Sequence, residues 1–118
     1  MTQDRARAGA AAEMLASAYL RRRGLTVRAS NYRVRGGEID LVCDDAGTLV
    51  FVEVRLRRNR NFGGASGSIT AAKQRRIVLA AQHYLAGKSE RPCRFDVVLL
   101  DDIDPARIEW IRGAFAGE

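Results

Sequence analysis

The sequence predicts an α/β fold in which a central mixed β-sheet is flanked by two helices. Two segments carry apolar residues at helical spacing, and five others are rich in strand-forming residues. The chain has 118 residues, a common size for one domain, and 47% of them are hydrophobic, which is enough for one core. Because repeats and linker-like segments are absent from the sequence, residues 1–118 are expected to form a single domain.

The first half of the chain is predicted to form one helix and three strands. The helix runs from Ala8 to Leu20, with Gly24 as its stop signal. Its predicted core stripe consists of Ala8, Ala12, Leu15, Ala16, Tyr19 and Leu20. A short strand from Leu25 to Arg33 then leads into a turn at Gly36 and Gly37. A hairpin follows, with strands from Glu38 to Cys43 and from Thr48 to Leu56 around a loop at Asp44 to Gly47.

The second half is predicted to form a loop, a helix and two strands. Arg57 to Ser68 is basic and glycine-rich, so we expect a mobile loop. The helix begins at a Ser68 or Thr70 cap and ends at Gly87, and its apolar stripe consists of Ile77, Ala80, Ala81, Tyr84 and Leu85. Phe95 to Leu100 is almost wholly apolar, as in a strand covered on both faces, and Arg107 to Phe115 is the last predicted strand.

The composition favours a cytoplasmic protein that meets a polyanion. The formal net charge is +6 and the sequence pI is about 10.1, which favours a nucleic-acid partner. Nearly all of the basic residues are arginines, so a compositional bias of the genome is the alternative explanation for the positive charge. No apolar run is long enough to cross a membrane, and no secretory signal is recognisable. Cys43 and Cys93 are expected to be reduced thiols in the core, not zinc ligands.

The predicted hairpin gathers acidic side chains on one face. With the loop at Asp44 to Gly47, Cys43 pairs with Thr48, and counting outward pairs Asp40 with Phe51. This register places Ile39, Leu41, Cys43, Val50, Val52, Val54 and Leu56 on one face, and Glu38, Asp40, Glu53 and Arg55 on the other. Asp40 and Glu53 are then diagonal neighbours, about 7–8 Å apart at the backbone, and their carboxylates can converge on one ion. Magnesium suits such a pair beside a basic surface. The alternative is a set of solvent-facing charges.

An ordered set of residues along nearly the whole chain resembles a known family. Its motifs are Gly37-Glu38-Ile39-Asp40-Leu41-Val42 and Phe51-Val52-Glu53-Val54-Arg55. The other matching positions are Gly9, Glu13, Tyr19, Leu20, Asn31, Arg33, Phe62, Gly63, Lys73 and residues 94–97. With these residues the chain resembles the YraN-type family of small bacterial proteins, which is similar to the Holliday-junction-resolvase branch of the restriction-endonuclease-like superfamily. The resemblance implies a restriction-endonuclease-like fold with an αβββαβ core.

The resemblance also implies a metal site with nuclease chemistry. The superfamily pattern of an acid followed by Asp/Glu-x-Lys maps onto Asp40 and Glu53 as ligands of Mg²⁺ or Mn²⁺, with the Val54 carbonyl as a further candidate ligand. Glu13 on the first helix is implied to help build the site. The superfamily lysine falls on Arg55. Arginine stabilises negative charge but does not release its proton in proteins, so it cannot act as the base.

Lys73, Gln74 and the basic loop supply the remaining candidates. Lys73 shares a helix face with Ile77, so we expect it to lie toward the sheet, to have an acidic or phosphate partner, and to stabilise charge on the reacting phosphate. Gln74 beside it is a candidate to position a water or a phosphate. The candidate nucleic-acid contacts in the loop are Arg57, Arg58, Arg60 and Phe62, because arginine binds phosphate and aromatic rings stack on bases. A solvated loop is the alternative.

Two other polar residues are expected to lie outside the site. Asp96 alternates with Phe95 and Val97 in the buried strand, so we expect a structural carboxylate that pairs with Arg94. His83 is the single histidine and has no nucleophile motif to serve, so a Ser-His-Asp hydrolase is not supported.

The expected function is that of a metal-dependent nuclease, or of a descendant of one, which acts on structured DNA. One alternative is a non-catalytic nucleic-acid-binding module that lost turnover when the lysine became Arg55. A third is an interaction protein whose basic face meets another protein. A homodimer would suit a four-way junction, although no exposed apolar stripe in the sequence requires one.

Overall fold

The computed structural model describes residues 2–57, 69–101 and 106–117, and it confirms the predicted helices and strands. The helices are α1 (Thr2–Arg22) and α2 (Ala71–Leu85). The strands are β1 (Thr26–Val34), β2 (Gly37–Asp45), β3 (Thr48–Arg57), β4 (Cys93–Asp101) and β5 (Ile108–Phe115). The αβββαβ order is thus followed by a fifth strand. The predicted loop lies outside the described residues from position 58 onward.

The strands form one mixed sheet in the order β1-β2-β3-β4-β5. All neighbouring strands are antiparallel except β3 and β4, which are parallel. Two parallel neighbours need a crossover connection, and α2 lies within the connection from β3 to β4. The fold is therefore of the mixed α/β class.

Helix α1 covers one face of the sheet. Ala12, Ala16 and Leu20 of this helix pack in a buried cluster with Leu41, Cys43, Val50, Val52, Val98 and Leu100 of the strands. Leu15, predicted to belong to this stripe, is 40% exposed. That prediction was wrong because the contact follows every fourth residue, and Leu15 is rotated by about 100° from Ala16.

Helix α2 covers the opposite face. Its buried residues Ile77, Ala80 and Ala81 pack with Ile39, Val42, Leu49, Phe51 and Phe95. The hydroxyl of Thr70 caps the helix by accepting a hydrogen bond from the Lys73 amide at 3.1 Å, which confirms Thr70 as the cap. Neither α1 nor α2 is long and apolar enough to cross a membrane, as judged from the described residues.

Gly37, the first residue of β2, lies directly against the backbone of α2. A Cβ atom at this position would lie 2.5 Å from the carbonyl oxygen of Arg76 and 3.0 Å from the amide nitrogen of Ala80. Only glycine allows the strand and the helix to approach so closely.

The β2–β3 hairpin has a register different from the predicted one. Cys43 pairs with Val50 and not with Thr48, and Asp45 is the residue that pairs with Thr48. The loop is therefore only two residues long. These residues, Ala46 and Gly47, have φ angles of 51° and 98°, as in the tight turns that fit the twist of a hairpin. A shift of two residues keeps every side chain on its face, so most of the predicted face assignment holds.

Ile39 and Cys93 lie at positions that differ from the prediction. Ile39 packs on the α2 face whereas Leu41 packs on the α1 face, so the alternation of β2 breaks between them, at Asp40. Cys93 is exposed because it is the first residue of β4, beyond the covered part of the sheet. Cys43 is buried as expected, and both cysteines are free.

Candidate active site

Asp40 lies where the regular pairing of β2 with β3 ends. The last paired residues on this side of the hairpin are Leu41 and Val52. Beyond them, the Asp40 carboxylate accepts a hydrogen bond from the Val54 amide, with 2.8 Å between Oδ2 and N. The side chain of Asp40 thus occupies a position that a neighbouring backbone carbonyl would fill in a continuous ladder. This bond fixes the carboxylate against β3.

Asn31 makes the neighbouring strand irregular at the same level. It lies opposite Asp40 in β1 and has a φ angle of 52°, a left-handed conformation that asparagine adopts more readily than most residues. Its side chain hydrogen-bonds to the carboxyl group of Glu13 on α1. Such strain is typical of positions where the fold holds a side chain in a special direction. We did not single out Asn31 for a role, since no local pattern signals a left-handed residue inside a strand.

A cavity of about 290 Å³ opens beside Asp40. It lies between α1, β3 and the first turn of α2. Its polar lining consists of Glu13, Asp40, Glu53, Arg55 and Lys73, and Val54 also borders it. Residues that are far apart in the sequence, from two helices and two strands, are therefore brought together here.

Glu53 is the most unusual group in this cavity. Its side chain is buried, and burial together with the adjacent Asp40 carboxyl raises the pKa of Glu53 to about 8 from an ordinary value of 4.5. The positive charges of Lys73 and Arg55 oppose this rise. Oε2 of Glu53 accepts no hydrogen bond from any described residue. A proton or a metal cation would complement this oxygen, because a buried carboxylate oxygen without a hydrogen bond is costly.

Lys73 reaches two carboxylates from the first turn of α2. Its Nζ lies 3.4 Å from Oε2 of Glu53 and 3.5 Å from Oε1 of Glu38. The expected acidic partner of this lysine is thus present. Glu38, which we had not selected as a site residue, also lies 3.8 Å from Arg76 and 3.7 Å from Arg33. The sequence feature that could have identified Glu38 as a site residue is its position on the acidic face of the predicted hairpin.

Glu13 approaches the same group of acids from α1. Partial burial and the charge of Asp40 raise its pKa, whereas the hydrogen bond from Asn31 and the charge of Arg33 lower it. Glu13 and Asp40 line the same cavity. Glu13 is thus positioned to add a third acid to the pair formed by Asp40 and Glu53.

Other candidates lie outside this cavity. Gln74 donates a hydrogen bond from Nε2 to the carbonyl oxygen of Ile69 at 3.2 Å and borders a different cavity. The structure does not bring it to the acids, because it faces away from Lys73 on α2. Arg57 ends β3 and forms an ion pair with Glu109 at 2.8 Å. The candidates Arg58, Arg60 and Phe62 lie outside the described residues.

The donors of the cavity suit a hard cation that keeps water ligands. Among residues 2–57, 69–101 and 106–117, no group of three or more His, Cys, Asp or Glu side chains has metal-binding geometry. Two carboxylates are nevertheless the usual protein contribution to a Mg²⁺ site, because Mg²⁺ dehydrates reluctantly and takes its other ligands from water and substrate phosphate. The Glu53 oxygen that accepts no hydrogen bond from the described residues fits this role.

In metal-free buffer the protein is expected to lose stability as the pH rises from about 5 to about 8. Glu53 binds its proton more tightly in the folded protein than in the unfolded chain, so its stabilising effect is complete below the unfolded pKa and disappears through the folded pKa of about 8. The expected loss is about 2–4 kcal/mol in the free energy of unfolding. Urea unfolding in EDTA at several pH values measures it.

Glu53→Gln should remove most of this pH dependence, because the amide does not titrate. Glu90→Gln, a change at an exposed glutamate outside the cavity, is the matched control and should keep the native profile. A native profile that is flat over this pH range, or equal slopes in native and Glu53→Gln proteins, would contradict the assignment of a buried protonated carboxyl.

The sequence matches a family and many relatives. Residues 12–100 match a family described as the uncharacterised protein family UPF0102. A UPF0102 protein of Dechloromonas aromatica is 57% identical over 110 residues, which are 93% of this chain and 89% of that protein. A UPF0102 protein of Cupriavidus taiwanensis is 61% identical over 109 residues, covering 91% of this chain and 81% of the relative. A third, from Methylobacillus flagellatus, is 52% identical over 105 residues, or 89% of this chain and 93% of the relative.

Proposed function

This chain belongs to the uncharacterised protein family UPF0102, the YraN-type family, and we propose that it is a metal-dependent nuclease that acts on structured DNA. The observation that carries the proposal is the meeting of Asp40, Glu53 and Lys73 in one cavity. Two carboxylates, one of them buried with an oxygen that accepts no hydrogen bond from the described residues, suit a divalent cation. The adjacent ammonium and guanidinium groups suit a phosphate. The net charge of +6 suits a polyanionic substrate.

We propose that the fold is restriction-endonuclease-like. Its support is the αβββαβ order, the mixed sheet covered by one helix on each face, and the position of both acids at the irregular end of the central hairpin. In this arrangement Asp40 and Glu53 would hold Mg²⁺ or Mn²⁺, with the Val54 carbonyl as a further candidate ligand. When bound, the ion would stabilise charge on the phosphate and make water a better nucleophile.

The side chains around the acids divide the remaining tasks. Lys73 touches Glu53 and is placed to neutralise charge that develops on the scissile phosphate. Arg55 borders the same cavity and adds a second positive charge, but it cannot accept a proton. Glu13, which Asn31 contacts, adds negative charge near the carboxylates that would hold the metal ion. Each of these roles is electrostatic.

A non-catalytic nucleic-acid-binding module is the second candidate function. The observation that favours it is Arg55, which occupies the position where the superfamily has lysine. A protein that kept the acids for structural reasons would still bind phosphates through its basic residues. Salt-sensitive DNA binding without cleavage would select this candidate.

Asp40→Asn is the variant that tests the proposed function. It should lower manganese-dependent cleavage by at least about 10²-fold, since the amide keeps the hydrogen bond from Val54 but loses the charge that holds the cation. The assay is a panel of junction, flap, single-stranded and duplex substrates with Mn²⁺, together with calorimetric titration of Mn²⁺ into the protein. Asp45→Asn, on the same hairpin outside the cavity, is the matched control and should cleave like the native protein. No cleavage by native protein on any substrate, even at high concentration, would lead us to reject the enzyme.

A further inference from the structure

A second, larger cavity begins where the acidic cavity ends. It has a volume of about 760 Å³ and forms a groove between α1 and β1, the strand at one edge of the sheet. Gly9 and Glu13 line both cavities. The groove therefore adjoins the acidic cavity, and an extended molecule lying in the groove would approach the carboxylates at its Glu13 end.

The groove presents positive charge on both of its walls. Arg21 projects from the last turn of α1 and is exposed. Arg33 projects from β1, with a side chain that is 72% exposed, and among the described residues it forms only a long, 3.7 Å ion pair to Glu38. Exposed arginines with weak partners are available for phosphate oxygens, which they bind with two parallel hydrogen bonds.

The same groove carries an exposed apolar side chain and small polar groups. Met14 is 74% exposed, which is unusual for a large apolar residue. Ser17 and Ser30 lie along the groove with it. A flexible, polarisable thioether makes favourable contacts with flat aromatic rings, and the base of an unpaired nucleotide is such a ring. A duplex would keep its bases stacked inside and would leave Met14 without this contact.

We propose that the α1–β1 groove binds a single-stranded segment of nucleic acid that leads to the acidic cavity, with Arg21 and Arg33 on its phosphates and Met14 against a base. This inference rests on the proposed function, because the acidic cavity defines where the segment ends. It assigns the substrate class: nucleic acid with an unpaired strand next to the bond at the acids. Arg21 and Arg33, which would bind this segment, are distinct from the candidate nucleic-acid contacts Arg57, Arg58 and Arg60 of the predicted loop.

The test is binding of a fluorescently labelled single-stranded oligonucleotide in EDTA, followed by anisotropy between about 50 and about 200 mM salt. The native protein is compared with an Arg21→Ala/Arg33→Ala variant. Arg75→Ala/Arg112→Ala is the matched control, because it removes the same charge from exposed positions on α2 and β5. Met14→Ala is measured alongside. Melting temperatures establish that each variant is folded.

The groove variant should reduce the slope of log K against log salt by about 1.4, since each phosphate contact to a single strand contributes about 0.7. The control should keep the native slope, and Met14→Ala should weaken binding without changing the slope. Equal losses in groove and control variants, or no binding of the single strand by native protein at about 50 mM salt, would overturn the groove. These outcomes are independent of cleavage. If the native protein cleaved in an Asp40-dependent manner but the Arg21→Ala/Arg33→Ala variant bound the single strand as the native protein does, only the proposed groove would be overturned.

Discussion

Replacing Lys73 with methionine is expected to slow metal-dependent cleavage by about 10²–10³-fold while the fold is kept. Methionine fills the space of the lysine stem but carries no charge. The variant thereby removes the ammonium that lies 3.4 Å from Oε2 of Glu53. Initial rates under excess manganese measure the effect.

The chain contains two lysines, so the control for this experiment is well defined. Lys88→Met removes the same charge just beyond α2 and should leave the cleavage rate unchanged. Arg55→Lys is expected to retain or raise the rate, because it preserves the charge and adds a group that can lose a proton. If Arg55→Ala abolished cleavage while Lys73→Met retained it, Arg55 would be the essential cation and the role assigned to Lys73 would be wrong.

Replacing Asp96 with alanine is expected to lower the free energy of unfolding by about 3–5 kcal/mol. Asp96 is completely buried, and four hydrogen bonds satisfy its two oxygens. Arg94 donates two of them at 2.9 and 3.0 Å, the Trp110 indole donates one at 2.9 Å, and the Gly113 amide donates one at 3.0 Å. Alanine would leave these donors without their acceptor, and the guanidinium would lose its buried partner.

Urea unfolding at neutral pH measures this loss, with Asp45→Ala as the control. Asp45 is a partly exposed second partner of Arg94 at 3.1 Å, so its removal should cost about 1 kcal/mol or less. A similar, small cost for both variants would contradict the view that Asp96 holds β4 and β5 together. The sequence-based expectation for Asp96, a structural carboxylate paired with Arg94, agrees with this geometry.

The parts of the fold that follow from local patterns were predictable from the sequence. The helical spacing of Ala12, Ala16 and Leu20 and the apolar run of β4 each report a local environment, so both elements were recognised. The hairpin register was not recognised, because Asp44 and Asp45 are residue types common in turns. Only the pairing of the strands shows that both remain within β2.

The acidic residues of the candidate site were predictable from the sequence, but the contacts that hold the surrounding side chains in place were not. Asp40 and Glu53 stand out because acidic residues interrupt apolar strands. The contact of Lys73 with Glu38 and the hydrogen bond of Asn31 with Glu13 join elements that are far apart in the sequence. No periodicity encodes such contacts. Gln74 illustrates the opposite error, since adjacency to Lys73 in the sequence places its side chain about 100° away around the helix.

The close approach at Gly37 sets the electrostatics of the cavity as well as the packing. The helix that carries Lys73 rests on this glycine, and the strand that begins there carries Glu38 and Asp40. A methyl group at this position would overlap the backbone of the helix and force the helix to move back, and the ammonium would move away from both carboxylates with it. The distance between the Lys73 ammonium and the two carboxylates therefore depends on the absence of a side chain at Gly37. In this chain, the lack of a side chain at Gly37 therefore contributes to the charge balance of the site.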